Sequence, residues 1–341
     1  MIARLAACLV LTVLPSVCAD WNPKLAAQYL DGRQKEWFEW PRANQGAKPC
    51  VSCHTSVTYL LARPALRKAL GESAPTSYET GLLNSLRERV AKQEPAASPS
   101  IGVESVLAAL FLGTEQSPAA TQALDRLWAL QATEGKAKGV WNWFDLNDDP
   151  WEMPDSHFYG GTLAAMAVGA APADYRARAD VKQRVAGLAA YLQSEEEGQS
   201  LHNRVMLLWA SRKLPEALTA AERRTIVAEV WKRQEADGGW SIQSLGPFKA
   251  HEKAPRQEGS NGYATALVTY VMQQADGGGK NPKLAQALAW LRSHQDPGGY
   301  WSAESMNKVY PAGSMESGFM RDAATSFASL ALLESRGSGT N

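Results

Sequence analysis

Apolar residues recur along most of the chain at helical spacing, in segments of two kinds that alternate. Segments with one apolar and one polar face fall near 24–38, 79–92, 118–131, 180–193, 219–234 and 281–295. Between them lie more uniformly apolar segments rich in small residues, near 54–63, 101–112, 158–169, 201–212, 261–274 and 321–335. The pattern predicts twelve helices in six pairs at roughly fifty-residue spacing. Half-exposed helices alternating with buried ones are what two concentric rings require, the apolar set inside and the amphipathic set outside. The expectation is an all-α (α/α)6 toroid; a superhelical stack of hairpins with free ends fits the same periodicity.

Three stretches share a further pattern: Trp128 to Gln131 and on through Gly139 to Trp141; Trp231 to Gln234 and on through Gly238-Gly239 to Trp240; and Trp290 to Gln295 and on through Gly298-Gly299 to Trp301. Each is a helix that ends in Gln, then a turn that needs Gly, then a Trp able to pack back on the helix it follows. These units resemble the QW repeats of squalene–hopene and oxidosqualene cyclases, whose toroids are related to those of protein prenyltransferases. The resemblance runs from about Ile101 to Leu333. Those cyclases join two such barrels, and this chain has room for one. The resemblance implies an apolar isoprenoid substrate, protonated by an aspartate in a D-x-D-D motif. The only nearby string, Asp145-Leu-Asn-Asp148-Asp149, departs from that motif and reads as acids in a solvated loop.

The chain has 341 residues, enough for two domains, but the repeats absorb them into one. Its composition, 45% hydrophobic and 21% charged, is globular. With 35 basic and 35 acidic residues there is no basic stripe for nucleic acid. Residues 1–19 have a basic start, an apolar run of about ten residues and a Val17-Cys18-Ala19 ending, the pattern of a secretory signal. Cleavage after Ala19 leaves residues 20–341 as an exported, periplasmic toroid. No later run approaches the ~20 apolar residues of a membrane span, so an integral membrane protein is not expected.

The mature chain keeps two cysteines, both in Pro49-Cys50-Val51-Ser52-Cys53-His54. C-x-x-C-H is the attachment signal for c-type haem: two thiols bond the vinyl groups and the adjacent imidazole lies under iron. A redox-active thiol pair or a local disulfide uses the same spacing. The expectation is one covalent haem c on a loop at about 44–58, held by Cys50, Cys53 and His54, with His54 as proximal ligand. Met320, His157, Met153 and Met306 are the candidates for a sixth ligand, with Met315, His202 and His251 behind them.

If the inner helices run parallel, their N-termini open on one rim, fed by the long outer-to-inner loops. Polar residues there include Glu104, Ser105, Glu152, Asp155, Tyr159, His202, Asn203, Arg204, Asn261, Tyr263, Asp322 and Thr325. Glu104, Asp155 and Asp322 are the candidate catalytic acids, with Arg204 a partner for Glu104; for Asp322 and Asn261 a helix cap is the simpler role. The function expected is haem-linked electron transfer at the toroid mouth, to a redox partner protein or an apolar small molecule. A cyclase-like isomerase, a carbohydrate-processing toroid enzyme and a non-catalytic binding module are the alternatives.

Overall fold

The computed structural model describes residues 21–44, 48–92, 99–248, 254, 257–275 and 281–337. The expected leader at 1–19, and His251, lie outside them. Six helices form the outer ring: α1 (Pro23–Glu39), α3 (Ser77–Lys92), α5 (Pro118–Ala129), α8 (Ala179–Glu195), α10 (Ala220–Lys232) and α12 (Pro282–Ser293). Six form the inner ring: α2 (Ser56–Leu70), α4 (Pro99–Leu112), α6 (His157–Ala170), α9 (Leu201–Ala210), α11 (Gly262–Ala275) and α13 (Phe319–Gly337). A single turn, α7 (Ala173–Ala177), lies in a connection that reads as loop. Among the described residues there is no strand, and no helix is long and apolar enough to cross a membrane.

The helices start where local chemistry dictates. Asn22-Pro23, Ser117-Pro118 and Asn281-Pro282 open three outer helices: the first side chain accepts from first-turn N–H groups, and proline occupies a position whose N–H has no partner to lose. Thr219 and Glu222 cap α10 reciprocally. Asn261 caps α11, its Oδ1 accepting from the N–H groups of Tyr263 and Ala264. One boundary differs from expectation: α2 runs through Pro64 and stops only at Gly71, which adopts φ +70° and donates back to Arg67 and Lys68. The stretch after Arg63 that reads as connection is therefore mostly helix.

The Gln and Trp positions do what their spacing predicts. Trp141 Nε1 donates to Leu127 O at 2.7 Å, Trp240 to Val230 O at 2.9 Å and Trp301 to Leu291 O at 2.8 Å, each Trp folding back on the preceding outer helix. Gln131, Gln234 and Gln295 donate to the carbonyls of Gly139, Gly238 and Gly299. Those glycines sit at φ +91°, +96° and +91°, a region costly for any residue with a Cβ. Beyond the Trp the chain crosses the preceding inner helix closely. A Cβ on Gly102 would lie 2.5 Å from Asn142 O, and one on Gly262 2.5 Å from Ser302 O.

The ring closes. α13 packs on both α11 and α2, and α1 packs on α13. Gln295 exchanges hydrogen bonds with the backbone of Asn22, accepting at 2.6 Å and donating at 3.0 Å, so the last repeat seats the start of the first helix. Deeper in, Asp322 on α13 accepts from Tyr29 and Arg33 on α1 and from Thr55 at the start of α2. The open stack is thereby excluded.

Candidate functional site

The long outer-to-inner loops gather on one rim, as parallel inner helices require. Two cover the mouth: 140–156, between α5 and α6, and 294–318, between α12 and α13. In the first, the backbone of Asp148 and Glu152 pairs through two hydrogen bonds, 3.0 and 3.2 Å, around a turn at Pro150. This tight turn sets both carboxyls inward. Asp148 is 6% exposed and Glu152 7%, so the string that reads as solvated acid is buried.

Glu152 is the electrostatic centre. Burial pushes its carboxyl up to about 7, Asp148 pushes the same way, and a hydrogen bond from the Cys53 thiol and the charge of Lys308 pull it back. Burial also raises Asp148, against Lys308 and the Tyr310 hydroxyl, which donates to its Oδ1 at 3.3 Å. Cys53 is fully enclosed, and burial holds its thiol well above the ordinary range; Cys50 is pushed up to about 11 for the same reason. Both thiols stay protonated near neutrality, which makes them poor nucleophiles. Glu152 is the group able to take or give a proton there.

Aromatic rings wall this acid pair. Trp151 meets Tyr263 edge-on at 5.4 Å between centroids, and Tyr263 hydrogen-bonds His202 Nε2 at 2.8 Å. Tyr159 lies between Trp143 and His202. Burial lowers His202 to about 4, so it is neutral. Asn307 ties the two covering loops together, donating to Asn147 O at 3.0 Å and accepting from Asp149 N at 3.3 Å. Lys308 donates to Leu146 O at 2.7 Å.

His54 stands beside this cluster. Its ring stacks on Phe319 at 3.5 Å, meets Trp37 edge-on at 5.5 Å and lies 6.0 Å from Trp151. Thr55 gives its single hydroxyl proton to Asp322 Oδ2 at 2.7 Å, so it accepts from His54 Nδ1, 3.0 Å away, which fixes the imidazole tautomer. Burial lowers His54 to about 3.

The other sequence candidates scatter. Glu104 pairs with Arg89 of α3 rather than with Arg204, which meets Glu196 and Glu229. Asp155 is exposed, and Asp322 is fully buried in the ring-closing network. Met320 and Met306 are buried, Met153 lies against Asn307, and His157 leans outward on Tyr191 of α8. Glu152 and Asp148 form the acid pair; the clue in sequence was an acidic run bracketed by Trp143 and Trp151.

No family model matches the chain, and no curated protein does. Solved structures do. The chain shares its fold with unsaturated glucuronyl hydrolase. The enzyme of Bacillus sp. GL1, described as responsible for the degradation of glycosaminoglycan, superposes with a TM-score of 0.52 at 13% identity, over 92% of this chain and 96% of that one. A possible member of the GH105 family from Salmonella enterica superposes with a TM-score of 0.51 at 13% identity, over 99% and 100%. At this identity the likeness establishes the (α/α)6 toroid.

Two expectations are corrected. The resemblance to squalene cyclases is supported only as far as the toroid. The haem-bearing electron carrier is overturned, and with it the isoprenoid cyclase. The solved toroids this chain superposes on include unsaturated glucuronyl hydrolase. Among the described residues no group of three or more His, Cys, Asp or Glu side chains could hold a metal ion. Locally, the Cys53 thiol is engaged by Glu152 and the His54 imidazole by Thr55 and Phe319.

Proposed function

We propose that the chain is a carbohydrate-processing enzyme that works by proton transfer from Glu152 at the covered mouth of the toroid. The observation that carries this reading is the buried Glu152–Asp148 pair, set by one turn, with Glu152 titrating near neutrality. Two carboxyls in unequal environments are the usual equipment for glycoside chemistry, one protonated as acid and one charged as base or stabiliser. The flanking Trp and Tyr rings supply flat apolar surface, and the shared toroid of the glucuronyl hydrolases supports the substrate class.

In this reading Glu152 donates its proton to the leaving oxygen as the glycosidic C–O bond breaks, and Asp148 supports the positive charge that develops on the sugar. A water adds to that carbon and returns a proton to the Glu152 carboxylate. The Cys53 thiol holds the Glu152 carboxyl in place and, staying protonated, leaves it as the acid. Substrate enters as the Asn307 ties part. The test is turnover of a panel of oligosaccharides, neutral and uronate-containing, by the chain and by Glu152→Gln. Hydrolysis reduced at least a hundredfold in the variant, with substrate still bound, is the expected result. Equal turnover in both removes Glu152 from the chemistry.

A further inference from the structure

A groove of about 460 Å³ runs along the rim outside the acid pair, within the size range of small-molecule sites. Its walls include Tyr300, Glu304, Lys308, Tyr310, Ser317 and Arg321. Arg321 differs from the arginines that hold the toroid together. Arg33, Arg63, Arg89 and Arg204 each meet carboxylates, whereas Arg321 makes no ion pair or hydrogen bond with any described residue. It is held by stacking: its guanidinium lies 5.2 Å from the centroid of Tyr300, which leans in turn on Tyr29. A cation placed over a ring face in this way leaves the N–H groups of its fork unused.

We propose that this groove binds a ligand carrying a carboxylate on a ring, with the acid group on Arg321. Lys308 adds a second positive charge; its ammonium already donates to Leu146 O, so it contributes field and leaves the fork of Arg321 as the specific contact. Glu304 is the one carboxylate in the wall, against two cations. Tyr310 offers ring surface and joins the groove to the acid pair through its bond to Asp148. A bidentate guanidinium–carboxylate contact is planar and directional, which suits a ligand that must be oriented before it passes inward. The inference rests on the proposed function only in taking this ligand for the substrate.

Calorimetric titration of the intact protein with glucuronate, glucose and benzoate tests it. Glucuronate is expected to bind at least tenfold more tightly than glucose, and Arg321→Gln to lose at least tenfold toward glucuronate. Arg321→Lys, which keeps charge but not the fork, is expected to recover only part. Benzoate bound through Arg321 supports recognition by acid and ring rather than by sugar hydroxyls. Glucose bound as tightly as glucuronate, or an unchanged Arg321→Gln, overturns the proposal. Arg321 is half-exposed, so unchanged thermal unfolding checks that the variants fold. Glu152→Gln separates the two readings: it keeps glucuronate binding if the groove is right, whatever becomes of turnover.

Discussion

Arg33 and Asp322, 289 positions apart, meet at 2.8 Å inside the ring, the carboxylate fully buried and the guanidinium nearly so. Tyr29 and Thr55 complete the shell of Asp322, and Arg33 also donates to Met315 O. Three helices from the two ends of the chain are thus fastened at one carboxylate. Removing it leaves Arg33 charged and unpaired in the interior, a loss that costs about 3–5 kcal/mol in comparable sites. Asp322→Ala is expected to lower the stability to urea by that order. Unfolding as steady as the parent's removes the pair from any role in closure.

The Gln295 link closes the outer ring at the surface, where water competes, and its loss is correspondingly milder. Gln295→Ala forfeits the bonds to Asn22 and Gly299, each worth about 0.5–1.5 kcal/mol net. The two bonds to Asn22 and the one to Gly299 sum to about 1.5–4.5 kcal/mol, and exposure to water places the expected drop in the lower half of that range, with faster amide exchange in the first turn of α1. Exchange accelerated elsewhere but not at Lys24 and Leu25 contradicts the seating of α1 by the last repeat.

The rings were legible because helical period, cap residues and the Gln-Gly-Trp spacing are local signals that all favour the same hairpin. Closure was legible only as a count of six pairs, since Asn22 and Gln295 carry no mark of each other in sequence. The acid pair was harder. Asp148 and Glu152 sit in a polar run, and the turn that inverts them depends on Trp143 and Trp151 being buried by other helices. The C-x-x-C-H spacing is a signal of the same kind: it specifies which atoms can reach a common group, while the neighbours decide what they reach. Here Cys53 reaches Glu152.

Asn307 is expected to control access to the mouth. Its side chain makes both the bond to Asn147 O and the bond from Asp149 N. Asn307→Ala removes two bonds between loops that share few others, at a cost of about 1–3 kcal/mol confined to the mouth. Amide exchange at residues 146–152 should quicken while the inner helices keep their protection. Uniform acceleration throughout the ring contradicts a local tie.

Acid should weaken the fold through the buried imidazoles. His54 and His202 titrate at about 3 and about 4 in the folded chain and near 6.5 when unfolded. Between these values the unfolded chain binds more protons, so the stability they contribute is complete above about 6.5 and drains as pH falls toward 4. His202→Gln, which can still reach Tyr263 and Asn203, should reduce the slope of stability against pH by close to one proton across this interval. An unaltered slope shows that His202 charges without penalty and is not enclosed.

Glu152 works in the opposite sense, which makes it separable. Its folded value of about 7 stands above the 4.5 of an ordinary glutamate, so here the folded chain is the better proton binder. The contribution of this group is complete below about 4.5 and is lost as pH rises through about 7, where the carboxyl must ionise beside Asp148 without water. Glu152→Gln keeps the shape and abolishes the titration. Subtracting its urea-unfolding profile from that of the parent should leave a difference that falls between pH 4.5 and 7 and is flat on either side. A difference that rises over this interval means that Glu152 is ionised and stabilised at neutrality, and the proposed acid then has no proton to give.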